Sequence, residues 1–217
     1  HTDYFENFLQ SIIASLVGLN NVLLLLTSGY WDSSNELKPL YTTWSLGLEE
    51  QFYLLLSLLF LSTNLTFSKK NFLITIITFS FFSYLLCLNG SFNHKTFHYL
   101  MLPARLWEFF IGVLACYLSL KPIKFPRFLS PLSLLIAIIF LIINFSPNIL
   151  APKPIFIFPI LAVGYLCLDS KESISSRILS FNPLSYIGIA SYSIYLYHQP
   201  LLAFFRLNSF FKIKNEF

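Results

Sequence analysis

Two adjacent carboxylates, Glu49 and Glu50, lie inside the apolar run YTTWSLGLEEQFYLLL, which covers residues 41–56. On a helix, Ser45, Glu49 and Tyr53 recur at every fourth position, so a hydroxyl, a carboxylate and a phenol line one side. Glu50 is turned about 100° away from that side. This spacing suits a reaction in which a carboxylate orients a base or stabilises charge. The alternative is that both carboxylates lie near a helix end, in water or paired with a distant cation.

A second polar group lies in PARLWEFFIGVLACY, residues 103–117. Arg105 and Glu108 are three residues apart, close enough to pair along one helix, and Gly112 continues that face. The arginine is a candidate for holding a phosphate group or a developing negative charge. The pair can equally neutralise itself, because an ion pair on one helix makes charge tolerable in lipid.

The third polar group lies near the end of the chain, in PLSYIGIASYSIYLYHQPLL. Ser191, Tyr195 and His198 share one helical face, Tyr192 is close by, and Pro200 is expected to end or bend the helix. Histidine titrates near neutral pH and can therefore move a proton during catalysis. The alternative is that the imidazole only completes a hydrogen bond near a helix end.

The composition indicates a membrane protein. Of 217 residues, 56% are hydrophobic and 11% are charged, and the mean hydropathy is +0.68, whereas soluble domains carry about 25% charged residues. The net charge of +4 is spread thinly, without the basic stripe that nucleic-acid binding needs. The three cysteines, Cys87, Cys116 and Cys167, are isolated in apolar segments, so neither a metal site nor a disulfide framework is predicted.

Segment length predicts an all-α, polytopic membrane protein. A transmembrane helix needs about 20 mostly apolar residues, and about six segments meet this requirement: 44–62, 71–88, 101–119, 128–144, 150–168 and 185–206. A seventh segment, 7–27, contains Gly18, Asn20 and Asn21 at its centre. It either crosses the membrane or dips into the interface and returns.

The basic residues of the short loops predict the orientation, because cytoplasmic loops are enriched in lysine and arginine. One face receives Lys69, Lys70, Lys121, Lys124, Arg127, Lys171 and Arg177, and the other receives Lys38, Lys95 and Lys153. The first face is predicted to be cytoplasmic. Residues 30–43 and 89–98 are then outside, while Lys212 and Lys214 break the pattern.

Three stretches together resemble successive signatures of the membrane-bound acyltransferase-3 family. They are GYWDSSNELKPLYTTWSLGLEEQFYLLL, ARLWEFFIGVLACYL and NPLSYIGIASYSIYLYHQPLL, and the first is the most specific. Their order and spacing also match, and the chain looks most similar to the O-antigen and cell-wall acetylases. The resemblance implies a helical fold of about ten spans that transfers an acyl group, usually acetyl, from cytoplasmic coenzyme A to a sugar hydroxyl.

Residues of all three signatures match the family at individual positions. The candidate catalytic residues are Glu49 and His198. The candidate substrate-binding residues are Trp44, Ser45, Gln51, Tyr53, Arg105, Glu108, Ser191, Tyr192 and Tyr195. Trp107, Gly112, Gly188 and Pro200 also match. No tightly bound cofactor is predicted; acyl-coenzyme A, as acetyl-coenzyme A, is the expected co-substrate.

The chain departs from the family pattern in two places. Thr42 stands where close relatives often have a histidine. The family's first span, with an arginine and the histidine usually considered catalytic, would precede His1, so no residue is assigned to that role. Residues 1–217 are therefore expected to form a single transmembrane acyltransferase domain cut at both ends, without an appended hydrolase-like domain and inactive by itself.

The expected partners are the lipid bilayer, acyl-coenzyme A and a glycan or lipid-linked glycan such as lipopolysaccharide O-antigen, in a bacterial inner membrane. Two alternatives remain open. Intramembrane Glu, Arg and His also mark the paths of transporters and flippases, although the inverted repeats of many transporters are not apparent. A truncated, inactive remnant is the other alternative.

Overall fold

The computed structural model describes residues 2–27, 37–66, 69–90, 95–121, 126, 128–143, 154–168 and 173–215. No β-strand occurs in these ranges, so the predicted all-α class is confirmed. The helices are α1 (Thr2–Leu16), α2 (Asn20–Thr27), α3 (Thr43–Thr66), α4 (Lys69–Gly90), α5 (Lys95–Leu100), α6 (Leu106–Ser119), α7 (Leu129–Ile143), α8 (Ile157–Leu168), α9 (Ile174–Leu179) and α10 (Asn182–Asn215). Short 3₁₀ helices, Leu102–Ala104 and Pro154–Phe156, precede α6 and α8.

The segment 7–27 is two helices joined at Gly18. Gly18 has a φ of 67°, a left-handed conformation that glycine adopts without the steric cost of a Cβ. The amide of Leu19 still donates to the carbonyl of Ala14 at 2.8 Å, which closes the end of α1. The chain then enters α2 at Asn20, so the polar residues of this segment lie at a break between helices.

The apolar segment 101–119 is not one helix, in contrast to the continuous span that its composition suggests. α5 ends at Leu100, Met101 is extended, and α6 begins at Leu106. Pro103 favours the interruption, because it lacks the N–H group that would continue α5 and its ring clashes with the carbonyl four residues earlier in an α-helix. α6 has 14 residues and is therefore about 21 Å long.

One stretch among the described residues is long and apolar enough to cross a membrane: Asn71–Asn89 of α4, with a mean hydropathy of 1.9. The other strongly apolar helices, α6, α7 and α8, have 14, 15 and 12 residues. These lengths are below the roughly 20 residues of a typical span. The count of six spans therefore stays a prediction.

Pro200 does not end the last helix. It lies inside α10, which has 34 residues and continues to Asn215. Because proline has no N–H group, the carbonyl of Leu196 loses its usual intrahelical donor at this point. The alternative that the helix ends beyond His198 is thus excluded.

The chain forms two compact units, the first comprising residues 1–54 and 187–217 and the second residues 55–186. In the second unit, α6 packs against α4 and α8, and α8 also packs against α7. The backbone N–H of Trp107 lies in the first turn of α6, where it has no intrahelical acceptor. Ser83 Oγ of α4 accepts this hydrogen bond at 3.1 Å, and the ring of Tyr84 packs edge-on at 5.2 Å from the indole.

Candidate functional site

Three parallel rows of side chains on α3 organise the first unit. Trp44, Leu48 and Phe52 form the buried row. Thr43, Gly47 and Gln51 form a second row, which meets the break between α1 and α2. Ser45, Glu49 and Tyr53 form the third row, which is half-buried at its first two positions and exposed at Tyr53. The helical spacing predicted for this third row is therefore present.

The hydroxyl groups of Ser45 and Tyr195 lie 2.5 Å apart and form a hydrogen bond. Both can also donate to the backbone carbonyl of Thr42, Tyr195 at 3.0 Å and Ser45 at 3.2 Å. Each hydroxyl has one proton, so when one of them donates to the carbonyl, the other can donate to its partner. The first and third sequence signatures thus meet at these two hydroxyl groups.

Side chains from two other helices hold alternate carbonyls of the segment that leads into α3. Gln199 donates to the carbonyl of Lys38 at 3.1 Å, and Asn20 donates to that of Leu40 at 2.8 Å. Tyr195 donates to the next alternate carbonyl, that of Thr42. Gln199 and Asn20 are both buried, so their amides fix the direction from which the chain enters α3.

His198 has a defined tautomer in this arrangement. Its Nδ1 atom lies 2.7 Å from the backbone carbonyl oxygen of Tyr195. Because a carbonyl oxygen only accepts, Nδ1 must carry the proton in this contact. The neutral ring therefore has its lone pair on Nε2, the nitrogen that can accept a further proton. The imidazole and phenol rings have centroids 5.7 Å apart, so His198 packs against the ring of Tyr195.

Glu49 and Glu50 lie in different surroundings, as their helical offset predicts. Glu49 is half-buried and makes no hydrogen bond or ion pair with the residues that the structure describes. Glu50 is exposed, and its carboxylate lies against Gly18, where an added Cβ would overlap with it. The predicted role of Glu49 in catalysis stays a prediction.

A polar network at the break between α1 and α2 was not predicted as part of a site. Gln51 Nε2 donates to the carbonyl of Gly18 at 2.9 Å and to Asn21 Oδ1 at 2.8 Å. Gly47 allows this approach, because a Cβ there would lie 2.7 Å from the carbonyl oxygen of Gly18. These contacts use the amide of Gln51 within the protein, and its predicted role in substrate binding stays a prediction.

Asn20 is the centre of a second group of hydrogen bonds at this break. It is fully buried, and its amide donates to Thr43 Oγ1 at 2.7 Å as well as to the carbonyl of Leu40. The hydroxyl of Ser15 lies 2.8 Å from Thr43 Oγ1. The sequence signal was the pair Asn20 and Asn21 beside a glycine in an apolar segment. Such residues need internal partners in a membrane.

Arg105 and Glu108 form the predicted ion pair in the second unit. Arg105 Nη2 lies 3.1 Å from Glu108 Oε2 and Nε donates to the same oxygen at 3.2 Å. The guanidinium also lies over the ring of Tyr99, 5.7 Å from its centroid. This geometry matches the self-neutralising alternative. A role for either residue in binding substrate stays a prediction.

The other candidate residues of α10 are not drawn into the hydroxyl pair. Ser191 Oγ donates to the carbonyl of Gly188 within its own helix at 2.7 Å. Tyr192 is exposed and has no hydrogen bond among the described residues. The structure therefore brings together Ser45, Tyr195 and His198 from the predicted set, beside the row that carries Glu49 and Tyr53.

Tyr195 packs against the half-buried His198 and bonds to Ser45, the first residue of the row on α3 that also carries Glu49. Side chains of these types are suited to moving a proton during acyl transfer. Residues 5–214 match the family described as "Acyltransferase domain". The chain belongs to this family, the membrane-bound acyltransferase-3 family.

Several curated proteins are similar to the chain. "Putative membrane-bound transacylase BcsY" of Komagataeibacter xylinus is 27% identical over 202 residues, which cover 92% of this chain and 50% of that protein. "Putative O-acetyltransferase SACOL0978" of Staphylococcus aureus is 26% identical over 213 residues, 90% of this chain and 35% of that protein. "Putative peptidoglycan O-acetyltransferase YrhL" of Bacillus subtilis is 25% identical over 195 residues, which cover 80% of this chain and 30% of that protein.

The chain thus spans half or less of the length of these relatives. No solved structure is significantly similar to it.

Proposed function

We propose that this protein transfers an acyl group, in the first instance acetyl, from acyl-coenzyme A to a hydroxyl of a cell-surface glycan at the bacterial inner membrane. The observation that carries the proposal is the hydrogen bond between Ser45 and Tyr195, which joins two family signatures next to His198. The names of the relatives, which include O-acetyltransferases, support the same class of reaction. O-antigen is the acceptor proposed first.

The reaction moves one acyl carbon from sulfur to oxygen. The acceptor oxygen forms a bond to the acyl carbon, the thioester C–S bond breaks, and the hydroxyl proton passes to a base. The coenzyme leaves as a thiol after it receives a proton. General base catalysis of this kind typically contributes a factor of about 10² to 10⁴ in rate.

The residues of the first unit have complementary roles in this proposal. His198 accepts the proton of the acceptor at Nε2, while its Nδ1–H stays bonded to the carbonyl of Tyr195. Glu49, one turn along α3 from Ser45, supplies the negative charge that orients or stabilises a catalytic base. Ser45 or Tyr195 exchanges one of its present hydrogen bonds, within the pair or to the carbonyl of Thr42, for a bond to the oxygen of the acyl group or of the acceptor.

The proposal is tested with membranes that contain the product of the complete gene, because residues 1–217 are expected to be inactive by themselves. Labelled acetyl-coenzyme A is added, with O-antigen or peptidoglycan as separate acceptors. We expect label in one glycan, with release of one thiol for each acetyl group transferred. His198→Asn should lower transfer roughly 10² to 10⁴-fold, because asparagine can replace the hydrogen bond to Tyr195 but cannot accept the proton.

His98→Asn in the second unit is the matched control and should leave transfer per folded molecule within a few fold. Label that crosses the membrane without becoming attached to a glycan would indicate transport instead. Full transfer by His198→Asn would remove His198 from the reaction.

A further inference from the structure

Gln199 follows His198 directly and is buried in the first unit. Only 8% of its surface is exposed, and its Nε2 atom donates a hydrogen bond to the backbone carbonyl of Lys38 at 3.1 Å. Lys38 lies on the segment that leads into α3. The amide of Gln199 thus connects the turn of α10 that contains His198 with the segment that enters the helix of Ser45.

Tyr195 and Gln199 attach α10 to this segment at two points. They are four residues apart, so their side chains lie on one face of the helix, about 6 Å apart along its axis. Their acceptors, the carbonyls of Thr42 and Lys38, are also four residues apart. A single hydrogen bond would let α10 pivot about Tyr195, whereas a second bond at this distance fixes the direction of the helix.

The backbone of α10 is weakened between these two points. Pro200 lies inside the helix and has no N–H group, so the carbonyl of Leu196 lacks its usual intrahelical donor. Helices commonly bend at such a proline. Tyr195 lies immediately before this turn and Gln199 lies at its end. The two side-chain hydrogen bonds therefore hold the turn in which the backbone bond is missing.

Packing holds the part of α10 that follows this turn. Ala203 is fully buried, and the ring of Phe204 lies edge-on to that of Phe8 in α1, with centroids 6.0 Å apart. In contrast, residues 187–195, which precede the turn in the first unit, are all exposed. The direction of this preceding part therefore depends on the hydrogen bonds at the turn rather than on buried apolar surface.

We propose that Gln199 is a positioning residue, which fixes the bend of α10 before Pro200 and thereby places the Tyr195 hydroxyl and the His198 imidazole. His198 Nδ1 donates to the carbonyl of Tyr195 at this turn, so a change in the bend moves the ring and its acceptor relative to each other. Gln199 acts through the backbone and is not a catalytic residue. The control of the bend follows from the contacts alone, and only its consequence for acyl transfer rests on the proposed function.

The bend is measured by the distance between two spin labels in the product of the complete gene, with its native cysteines replaced. Ile13→Cys on α1 and Ile189→Cys on α10 are suitable, because both positions are exposed in the first unit. Gln199→Met keeps the length of the side chain but cannot donate a hydrogen bond. We expect one narrow distribution of distances with Gln199, and a broader or displaced one in Gln199→Met. The same distribution in both would overturn the proposal.

A matched control removes another amide from the same helix. Asn208 is exposed and makes no hydrogen bond with the residues that the structure describes. Asn208→Met should therefore leave the distribution of distances unchanged. A similar broadening in Asn208→Met and Gln199→Met would show that the effect is not specific to the bond with Lys38.

Pro200→Ala tests whether Gln199 acts at the weakened turn. Alanine restores the N–H donor for the carbonyl of Leu196, so the turn is then held without the amide of Gln199. Adding Gln199→Met to Pro200→Ala should broaden the distribution less than Gln199→Met does in the presence of Pro200. An equal effect in both backgrounds would contradict the proposed role of the turn.

Acyl transfer gives a second measurement in the same variants. Gln199→Met should lower kcat roughly 10- to 100-fold, the effect of slightly misplaced reacting groups, while the KM for acetyl-coenzyme A stays within a few fold. A raised KM with unchanged kcat would indicate a role in substrate binding instead. If the unmodified protein transfers no acyl group, the proposed function fails, whereas the spin-label distances still decide whether Gln199 fixes the bend.

Discussion

Ser45 and Tyr195 are 150 residues apart in the sequence, yet their hydroxyl groups lie 2.5 Å from each other. Both also contact the carbonyl of Thr42, one residue before α3 begins. The Tyr195 hydroxyl thus contacts both the carbonyl just before α3 and the Ser45 side chain in its first turn. Its removal should affect the geometry of the site more than the stability of the fold, because Tyr195 is 37% exposed.

Tyr195→Phe removes this hydroxyl and keeps the ring. Acyl transfer should fall roughly 10- to 100-fold, the effect expected when reacting groups are slightly misplaced, while the free energy of unfolding changes by about 1 kcal/mol. Tyr197→Phe, two residues along the same helix and 67% exposed, serves as the control. A similar loss in both variants would show that the effect is not specific to the hydroxyl pair.

In the product of the complete gene, Glu49→Gln keeps the size of the side chain and removes its charge. Transfer per folded molecule should fall by roughly 10² to 10⁴, the range expected for a group that stabilises charge or orients a base. Glu50→Gln should lower transfer less, since the Glu50 carboxylate is exposed and lies against Gly18. The transfer by each variant is divided by the amount of that variant that elutes as a single species in detergent. If Glu50→Gln is the more damaging change, Glu49 is not part of the reaction.

Gly18→Ala should destabilise the first unit by about 1–3 kcal/mol, because alanine is strained at a φ of 67° and its Cβ would meet the carboxylate of Glu50. Gly188→Ala is the control, since it lies in a helix with open space around it and should be neutral or slightly stabilising. Thermal unfolding in detergent measures both. Equal melting temperatures for the two variants would show that alanine is not strained at position 18.

Ser83→Ala should destabilise the second unit by about 1–3 kcal/mol, because the buried N–H of Trp107 loses its acceptor. Ser80 lies almost one helical turn away on α4, and its buried Oγ has no partner among the described residues. Ser80→Ala should therefore be neutral or stabilising. Chemical denaturation in mild detergent distinguishes them, and the reverse order of stabilities would be inconsistent with this hydrogen bond.

The loop charges predict which side of the membrane each connection faces. With Cys116 and Cys167 replaced by serine, Thr96→Cys should react with a membrane-impermeant maleimide from outside intact cells. Lys121→Cys should react only after the cells are opened. Both positions are exposed, so a difference in labelling reports the side of the membrane. Labelling of Lys121→Cys alone from outside would reverse the predicted orientation.

The long helices followed directly from the sequence. The predicted segments 44–62 and 71–88 lie within α3 and α4, because continuous apolar residues bounded by polar ones define a helix in this environment. The interruption at 101–105 was missed. Hydropathy does not change there, and the signal for the break is Pro103, which cannot donate the backbone hydrogen bond that an α-helix needs.

The sequence predicted which candidate residues share one face of a helix, but not which residues of different helices contact each other. Helical periodicity placed Ser45 with Glu49, and Tyr195 with His198, since these relationships are local. The contact between Ser45 and Tyr195 depends on how α3 and α10 pack, which a single sequence does not encode in any short pattern. The bonds from Gln51 to the break at Gly18 were missed for the same reason.

The order of the two units along the chain has a consequence for biosynthesis. The first unit is built from residues 1–54 and 187–217, whereas the second is continuous from 55 to 186. A ribosome that adds about 5–20 residues per second needs roughly 10 s to synthesise the residues in between. During that interval, Asn20 can already bond to Leu40 and Ser45 to Thr42, but the hydrogen bonds that Tyr195 and Gln199 donate must wait for α10. A nascent chain stalled before Tyr195 would therefore lack the contacts that α10 makes at the start of α3, and this unfinished interface is where insertion factors or quality-control proteases would first distinguish unfinished from finished protein.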